Sequence, residues 1–293
     1  MAISEGRISA NGIDFAYLES GAGPDRPLAL CLHGFPDSAW TYRHLLPALD
    51  AAGFHAVAPF MRGYAPTSIP DDGLFQSGAL AADAIALHAA LGGGDDAVLI
   101  GHDWGAVATY PAISHAPELW KRAVVAAVPP PGTIATAFLQ YEQLRRSWYM
   151  FFFQHALSDV VVGLNDLAFI DGLWADWSPG FDAADDIAHV KDCLREPANL
   201  AAALGYYRAT LGDGKKDPAY DAIEAAGART PSIPVLYLHG RTDGCMGADL
   251  AEGAGAFLAS EGSRVEIIEG AGHFLQLERP DEVNALIVDF VTA

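Results

Sequence analysis

The sequence predicts an α/β fold: a mostly parallel sheet of eight strands with helices on both faces and an inserted helical cap. Three observations carry this. Short apolar, often β-branched runs recur along the chain, helical patterns lie between several of them, and one long strandless stretch separates the first six runs from the last two. Strands that alternate with helices pair in parallel, because the crossover helices cover both faces of the sheet and bury the strands completely.

Taken in order, segments 7–10 and 14–19 read as two short strands joined by the turn pair Asn11-Gly12. Apolar runs follow at 28–32, 55–59, 97–100, 123–128, 235–238 and 265–268, with helical patterns at 78–91 and 107–115 and a terminal helix at 281–291. The breaker cluster Pro129-Pro130-Pro131-Gly132 ends the sixth strand. From about Thr133 to Ala222 the chain is helical and aromatic in pattern. The expected organisation is a core of residues 1–131 and 222–293, with residues 132–221 inserted as a helical cap (lid) over the carboxyl edge of the sheet. That edge is where ligands sit in open α/β sheets.

Composition narrows the partners. At 293 residues and 51% hydrophobic content the chain can bury a large core and leave a pocket. Its formal charge of -20, with only 17 Lys and Arg, argues against nucleic acid and disfavours anionic substrates. Three widely spaced cysteines, Cys31, Cys193 and Cys245, form neither a disulfide framework nor a C-x-x-C metal site. The first residues lack a basic segment followed by an apolar one, and no run approaches the ~18 apolar residues of a membrane span. A cytoplasmic protein with no membrane contact is expected, with monomer and homodimer equally compatible.

The chemistry concentrates in four loops, each after a strand candidate. Gly101-His102-Asp103-Trp104-Gly105 has the small-x-nucleophile-x-small form of a strand-to-helix elbow, with aspartate in place of the serine of G-x-S-x-G. The plain alternative for Asp103 is a helix N-cap. Leu32-His33-Gly34-Phe35-Pro36 can aim the Phe35 N–H at the same point as the Trp104 N–H, forming an oxyanion hole; in isolation it would be an ordinary turn. His273, on the Gly-rich loop Gly270-Ala271-Gly272-His273, is the best general-base candidate among ten histidines. Asp243 in Gly240-Arg241-Thr242-Asp243-Gly244 can orient that imidazole, although Asp in a turn is commonly a capping residue. The order nucleophile, acid, base is that of the α/β-hydrolase fold.

These residues give the chain a resemblance to the epoxide hydrolase family of α/β-hydrolases over nearly its whole length. HGFP, Arg62-Gly63-Tyr64, GHDWG and the GxGH loop stand where that family has its motifs. The resemblance implies a cis bond before Pro36. It also implies two cap tyrosines that protonate the opening epoxide: Tyr149, which precedes Phe153-Gln154, and Tyr207, which precedes Arg208, with Tyr206 as competitor. Plain readings of Tyr149 and Tyr207 are core packing and helix surface. Substrate-binding positions are expected at His33, Pro36, Trp104 and Phe153.

The aspartate now has a reason. A carboxylate is ionised near neutral pH and can displace a leaving group from saturated carbon, giving an alkyl ester of the enzyme. Water activated by His273 then attacks the Asp103 carbonyl, and the oxyanion hole stabilises that step. The expected activity is conversion of neutral lipophilic epoxides to vicinal diols, with no metal or organic cofactor. A haloalkane dehalogenase would share the elbow and use Trp104 for halide, but that family carries Asn where Phe35 stands; Trp148, Trp174 and Trp177 are the candidates for a second halide donor. A haloacetate dehalogenase would want arginine at position 104. A non-catalytic receptor on the same fold would tolerate loss of the nucleophile, base or acid, and none is lost.

Overall fold

The computed structural model describes residues 2–23, 25–258 and 260–293. Strands β1 (Ser4–Ala10) and β2 (Ile13–Ser20) form a hairpin on Asn11 and Gly12, both at positive φ (49° and 73°), as a two-residue turn between twisted strands requires. The remaining strands are β3 (Leu28–Leu32), β4 (His55–Pro59), β5 (Val98–His102), β6 (Arg122–Ala126), β7 (Val235–Gly240) and β8 (Arg264–Ile268). Their order in the single eight-stranded sheet is β1-β2-β4-β3-β5-β6-β7-β8. The β1–β2 and β2–β4 pairs are antiparallel and all others parallel. Strands β3, β5 and β7 are buried at every residue, which is why each reads as an unbroken apolar run.

Helices α1 (Leu45–Ala51), α2 (Ser77–Ala90) and α3 (Trp104–His115) lie within the first half of the chain. Between β6 and β7 the chain is helical: α4 (Pro131–Ala137), α5 (Tyr141–Arg146), α6 (Trp148–Phe152), α7 (Leu157–Trp177), α8 (Ala184–Leu194), α9 (Pro197–Leu211) and α10 (Asp221–Ala226). α7 is two helical stretches joined at 164–167, where the backbone leaves helical geometry. α10 packs on α2 and α3, so the chain has returned to the sheet layer there. The inserted helices are tied to loops at the carboxyl ends of β3 and β4: Trp174 Nε1 donates to the Pro36 carbonyl (2.8 Å), and Asn199 Nδ2 to that of Gly63 (2.7 Å). Helices α11 (Asp249–Glu252), α12 (Leu275–Glu278) and α13 (Pro280–Thr292) complete the chain. Among the described residues no helix is long and apolar enough to cross a membrane.

Two boundaries differ from the sequence reading in ways that matter for the site. The strand expected at 97–100 continues to His102, and the helix, whose start the small residues Gly105-Ala106-Val107-Ala108 signal, begins one residue earlier at Trp104, so a single residue separates them. The run 123–128 leaves the sheet after Ala126, because Ala127 takes a positive φ of 66°. Both Phe35-Pro36 and Ala65-Pro66 are cis; the second had no sequence counterpart.

Candidate active site

Asp103 is the single residue between β5 and α3, held at φ 51°, ψ −116°, a strained conformation for a non-glycine residue. Its side chain makes no capping hydrogen bond to α3, so the N-cap alternative fails. Instead Oδ1 accepts the Phe35 N–H (2.7 Å), and the Trp104 N–H is directed at the same carboxylate. Two glycines make this possible: a methyl group at Gly34 would run into the Asp103 carboxylate, and one at Gly105 into the Leu32 carbonyl.

Oδ2 of Asp103 faces His273, whose Nε2 lies 3.7 Å away, buried and without a hydrogen-bond partner. The imidazole is oriented by Nδ1, which donates to Asp243 Oδ2 at 2.9 Å. The other oxygen of Asp243 accepts the N–H groups of Cys245 (2.7 Å) and Met246 (2.9 Å). One buried carboxylate thus fixes both the histidine and the loop carrying Cys245. The His273 loop is pinned in turn: its N–H donates to the Trp177 carbonyl (3.0 Å), and the Gly272 N–H to Glu278 (2.8 Å).

Burial raises the Asp103 carboxyl above its ordinary value, only partly offset by His273, His102 and the two backbone N–H groups. Burial alone would lower His273, but the charge and hydrogen bond of Asp243, helped by Asp103, outweigh it and hold the imidazole above its ordinary value. Asp243 itself is depressed, because His273, His239 and backbone donors overcome the upward pull of burial.

A cavity of about 400 Å³ with almost entirely apolar walls opens on Asp103 and Trp104. Val107, Ile134, Phe138, Met150 and Leu211 line it, together with Tyr149, Tyr207, Cys245 and Met246. Tyr149 and Tyr207 stand with ring centroids 5.7 Å apart. The Tyr149 hydroxyl contacts Cys245 Sγ at 3.3 Å, whereas that of Tyr207, fully buried and not at a helix surface, has no partner. Tyr206 turns away, its hydroxyl donating to the Arg62 carbonyl (2.8 Å). The residues following the two tyrosines bind each other: Gln154 donates to the Tyr207 carbonyl (3.2 Å) and Arg208 to that of Phe153 (2.9 Å).

Three expected substrate contacts lie behind the cavity wall. His33 is buried, its Nε2 accepting the Met61 N–H (3.0 Å), and desolvation takes its imidazole down to about 4, leaving it neutral. The Pro36 carbonyl is engaged by Trp174, and Phe153 is covered by the rings of Phe35, Tyr149 and Tyr207. These residues support the loop and tyrosines from below. The sequence reading missed Cys245 and Met246, which a turn following Asp243 gave no periodic signal to reveal. It also missed His102, whose Nε2 holds the His273 carbonyl at 2.9 Å and whose Nδ1 lies 3.5 Å from the buried Asp37 carboxylate.

An acidic elbow after the fifth strand, a histidine loop after the last and a helical insertion between β6 and β7 define an α/β-hydrolase. Residues 29–286 match the model described as the alpha/beta hydrolase family. The chain belongs to this family, among its epoxide hydrolases. It is 30% identical to epoxide hydrolase A of Mycobacterium tuberculosis, covering 99% of this chain and 98% of that one. It is 27% identical to epoxide hydrolase 3 of Mus musculus over 99% of this chain and 77% of the relative. The crystal structure of epoxide hydrolase A from Mycobacterium thermoresistibile superposes with a TM-score of 0.81 at 26% identity, covering 99% and 98% of the two chains.

Proposed function

We propose that the protein is an epoxide hydrolase acting through a covalent alkyl-enzyme on Asp103, inside a pocket closed by a cap domain of residues 132–221. The observation that carries this reading is the divided Asp103 carboxylate: Oδ1 against the Phe35 N–H, Oδ2 toward the cavity and His273. Oδ2 attacks an epoxide carbon, the C–O bond breaks, and the ring oxygen takes a proton from Tyr149 or Tyr207. Phenols suit this task because an unassisted alkoxide would be a strong base in an apolar cavity. Water then loses a proton to His273 Nε2 as it attacks Cγ of Asp103. The developing oxyanion falls on Oδ1, where the Phe35 and Trp104 N–H groups stabilise it, and Asp243 offsets the charge of the imidazolium. Collapse of the tetrahedral intermediate expels the alkoxide, which takes the imidazolium proton and leaves as the diol, while the proton left on the Asp103 carboxyl returns to the tyrosinate. The substrates are neutral lipophilic epoxides, matching the apolar walls, and no nucleic acid or membrane is involved; the protein is placed in the cytoplasm.

A dehalogenase would need a second halide donor beside Trp104. Trp174 is engaged by Pro36, Trp177 packs between Tyr149 and His273, and Trp148 is about half exposed against Phe152 and Phe169. None of the three reaches the cavity.

The decisive test is trapping. His273→Gln with a styrene-type epoxide should give a stoichiometric burst and then stall with the substrate mass on Asp103, while Asp103→Ala should form no adduct. With wild-type enzyme in excess, one turnover in ¹⁸O-water should label the Asp103 carboxylate and leave the diol unlabelled. Label entering the diol directly, or halide release from haloalkanes with no diol from epoxides, would overturn the reading.

A further inference from the structure

Cys245 plays no part in the reaction above, yet its thiol lies in the same cavity wall. Its Sγ, the Asp103 carboxylate and the His273 imidazole each offer one ligand atom, all within 4.8 Å of one another. We propose that these three residues form a binding site for a thiophilic divalent cation of the Zn²⁺ class, whose occupancy switches the enzyme off.

The donor set is one nitrogen, one sulfur and one oxygen, a mixture that zinc accepts in tetrahedral sites. At tetrahedral angles, metal–ligand bonds of about 2.0–2.3 Å require ligand atoms about 3.3–3.8 Å apart. His273 Nε2 and Asp103 Oδ2 are already 3.7 Å apart, so closing the site takes small side-chain rotations. A second, independent feature points the same way. His273 Nε2 is fully buried, has no hydrogen-bond partner and faces Asp103, while Nδ1 donates to Asp243. A carboxylate behind the far nitrogen is the usual support of a metal-binding histidine, since it fixes the tautomer with its free lone pair toward the metal.

The thiol is equally well held. Asp243 Oδ1 accepts the Cys245 N–H (2.7 Å), so the carboxylate that orients the imidazole also anchors the cysteine backbone. Tyr149 Oη lies 3.3 Å from Sγ and can donate to it as thiolate. On binding, the S–H bond breaks, its proton passes to solvent, and a metal–sulfur bond forms with no change of oxidation state. The fourth position faces the apolar cavity and takes a water. The cation would occupy the lone pair that must accept the water's proton and the oxygen that must attack substrate. Its binding and turnover are therefore mutually exclusive. Binding itself does not depend on which reaction the site performs.

The test uses Zn²⁺ and Co²⁺ alone on the purified, metal-stripped chain. Equilibrium dialysis should show one high-affinity Zn²⁺ per chain, weakened on the order of 100-fold or more in Cys245→Ala and in His273→Gln, because each loses a direct ligand. Cys193→Ala, which removes a buried thiol on α8, should bind as wild type. Co²⁺ should add a thiolate charge-transfer band and the visible spectrum of tetrahedral coordination to the wild type, a readout that stands even if a variant fails to fold. Absence of stoichiometric Zn²⁺, a Co²⁺ spectrum lacking the thiolate band, or unchanged affinity in folded Cys245→Ala would overturn the proposal. If the metal binds as expected but no epoxide is turned over, the functional reading fails and this one stands.

Discussion

Asp103 and His273 support each other's charge, and on the proposed covalent route that coupling changes during turnover. In the free enzyme His273 is held above its ordinary value partly by the Asp103 carboxylate. Esterification on that route removes the Asp103 charge and leaves Asp243, with a smaller contribution from Asp37, to hold the imidazole up. A base works deprotonated, so ester hydrolysis is present above the His273 midpoint and lost as pH falls through it. The expected outcome is a hydrolysis midpoint below the His273 midpoint of the free enzyme, which is itself raised above the ordinary imidazole value by Asp243 and Asp103. Rapid-quench hydrolysis of the alkyl-enzyme across pH, set beside an NMR titration of His273, checks this; equal midpoints would contradict it. The tyrosines are separable from this step. Tyr149→Phe and Tyr207→Phe should each slow single-turnover alkylation on the order of 10² to 10⁴, and the double substitution should nearly abolish it. Full-rate alkylation by the folded double variant would show that neither phenol is the donor.

At the scale of elements, the site depends on loops that follow parallel strands and are braced from behind. The loop after β4 is the clearest case. Arg62 is buried and grips Asp83 of α2 with two hydrogen bonds of 2.6 Å, while its carbonyl receives Tyr206 of α9. This fork ties sheet, α2 and the inserted helices together. Asp83→Ala leaves the guanidinium buried and unpaired, so a loss of about 3–5 kcal/mol of unfolding free energy is expected in denaturant titration. Replacing both partners with apolar residues of similar volume should recover much of it. A cost below about 1 kcal/mol, ordinary for an exposed pair, would show that the fork contributes little.

At the scale of the whole molecule, a chain of net charge -20 surrounds an almost wholly apolar cavity. The field should keep anions away while the walls reward lipophilic substrates. An epoxide carrying a carboxylate should therefore show a lower kcat/KM than its uncharged isostere. The gap should narrow as ionic strength rises and the Debye length shrinks from about 30 Å at 0.01 M to about 8 Å at 0.15 M. A gap unaffected by salt would place the discrimination in the cavity wall and not in the long-range field.

The sequence by itself determined the sheet, the strandless insertion and the positions of Asp103, Asp243 and His273. Buried parallel strands must be apolar throughout, and the four strands that carry site residues, β3, β5, β7 and β8, run into glycine-containing turns. It also pointed to Phe35 and the two tyrosines, but only the tertiary structure separated Tyr207 from Tyr206. Neighbours on a helix point in different directions, and packing alone decides which one meets the cavity and which the Arg62 carbonyl. The same limit moved His33, Pro36 and Phe153 behind the wall and brought Cys245 beside Asp103. Distances between residues more than a hundred positions apart are set by how the inserted helices settle on the sheet, and no local pattern records them.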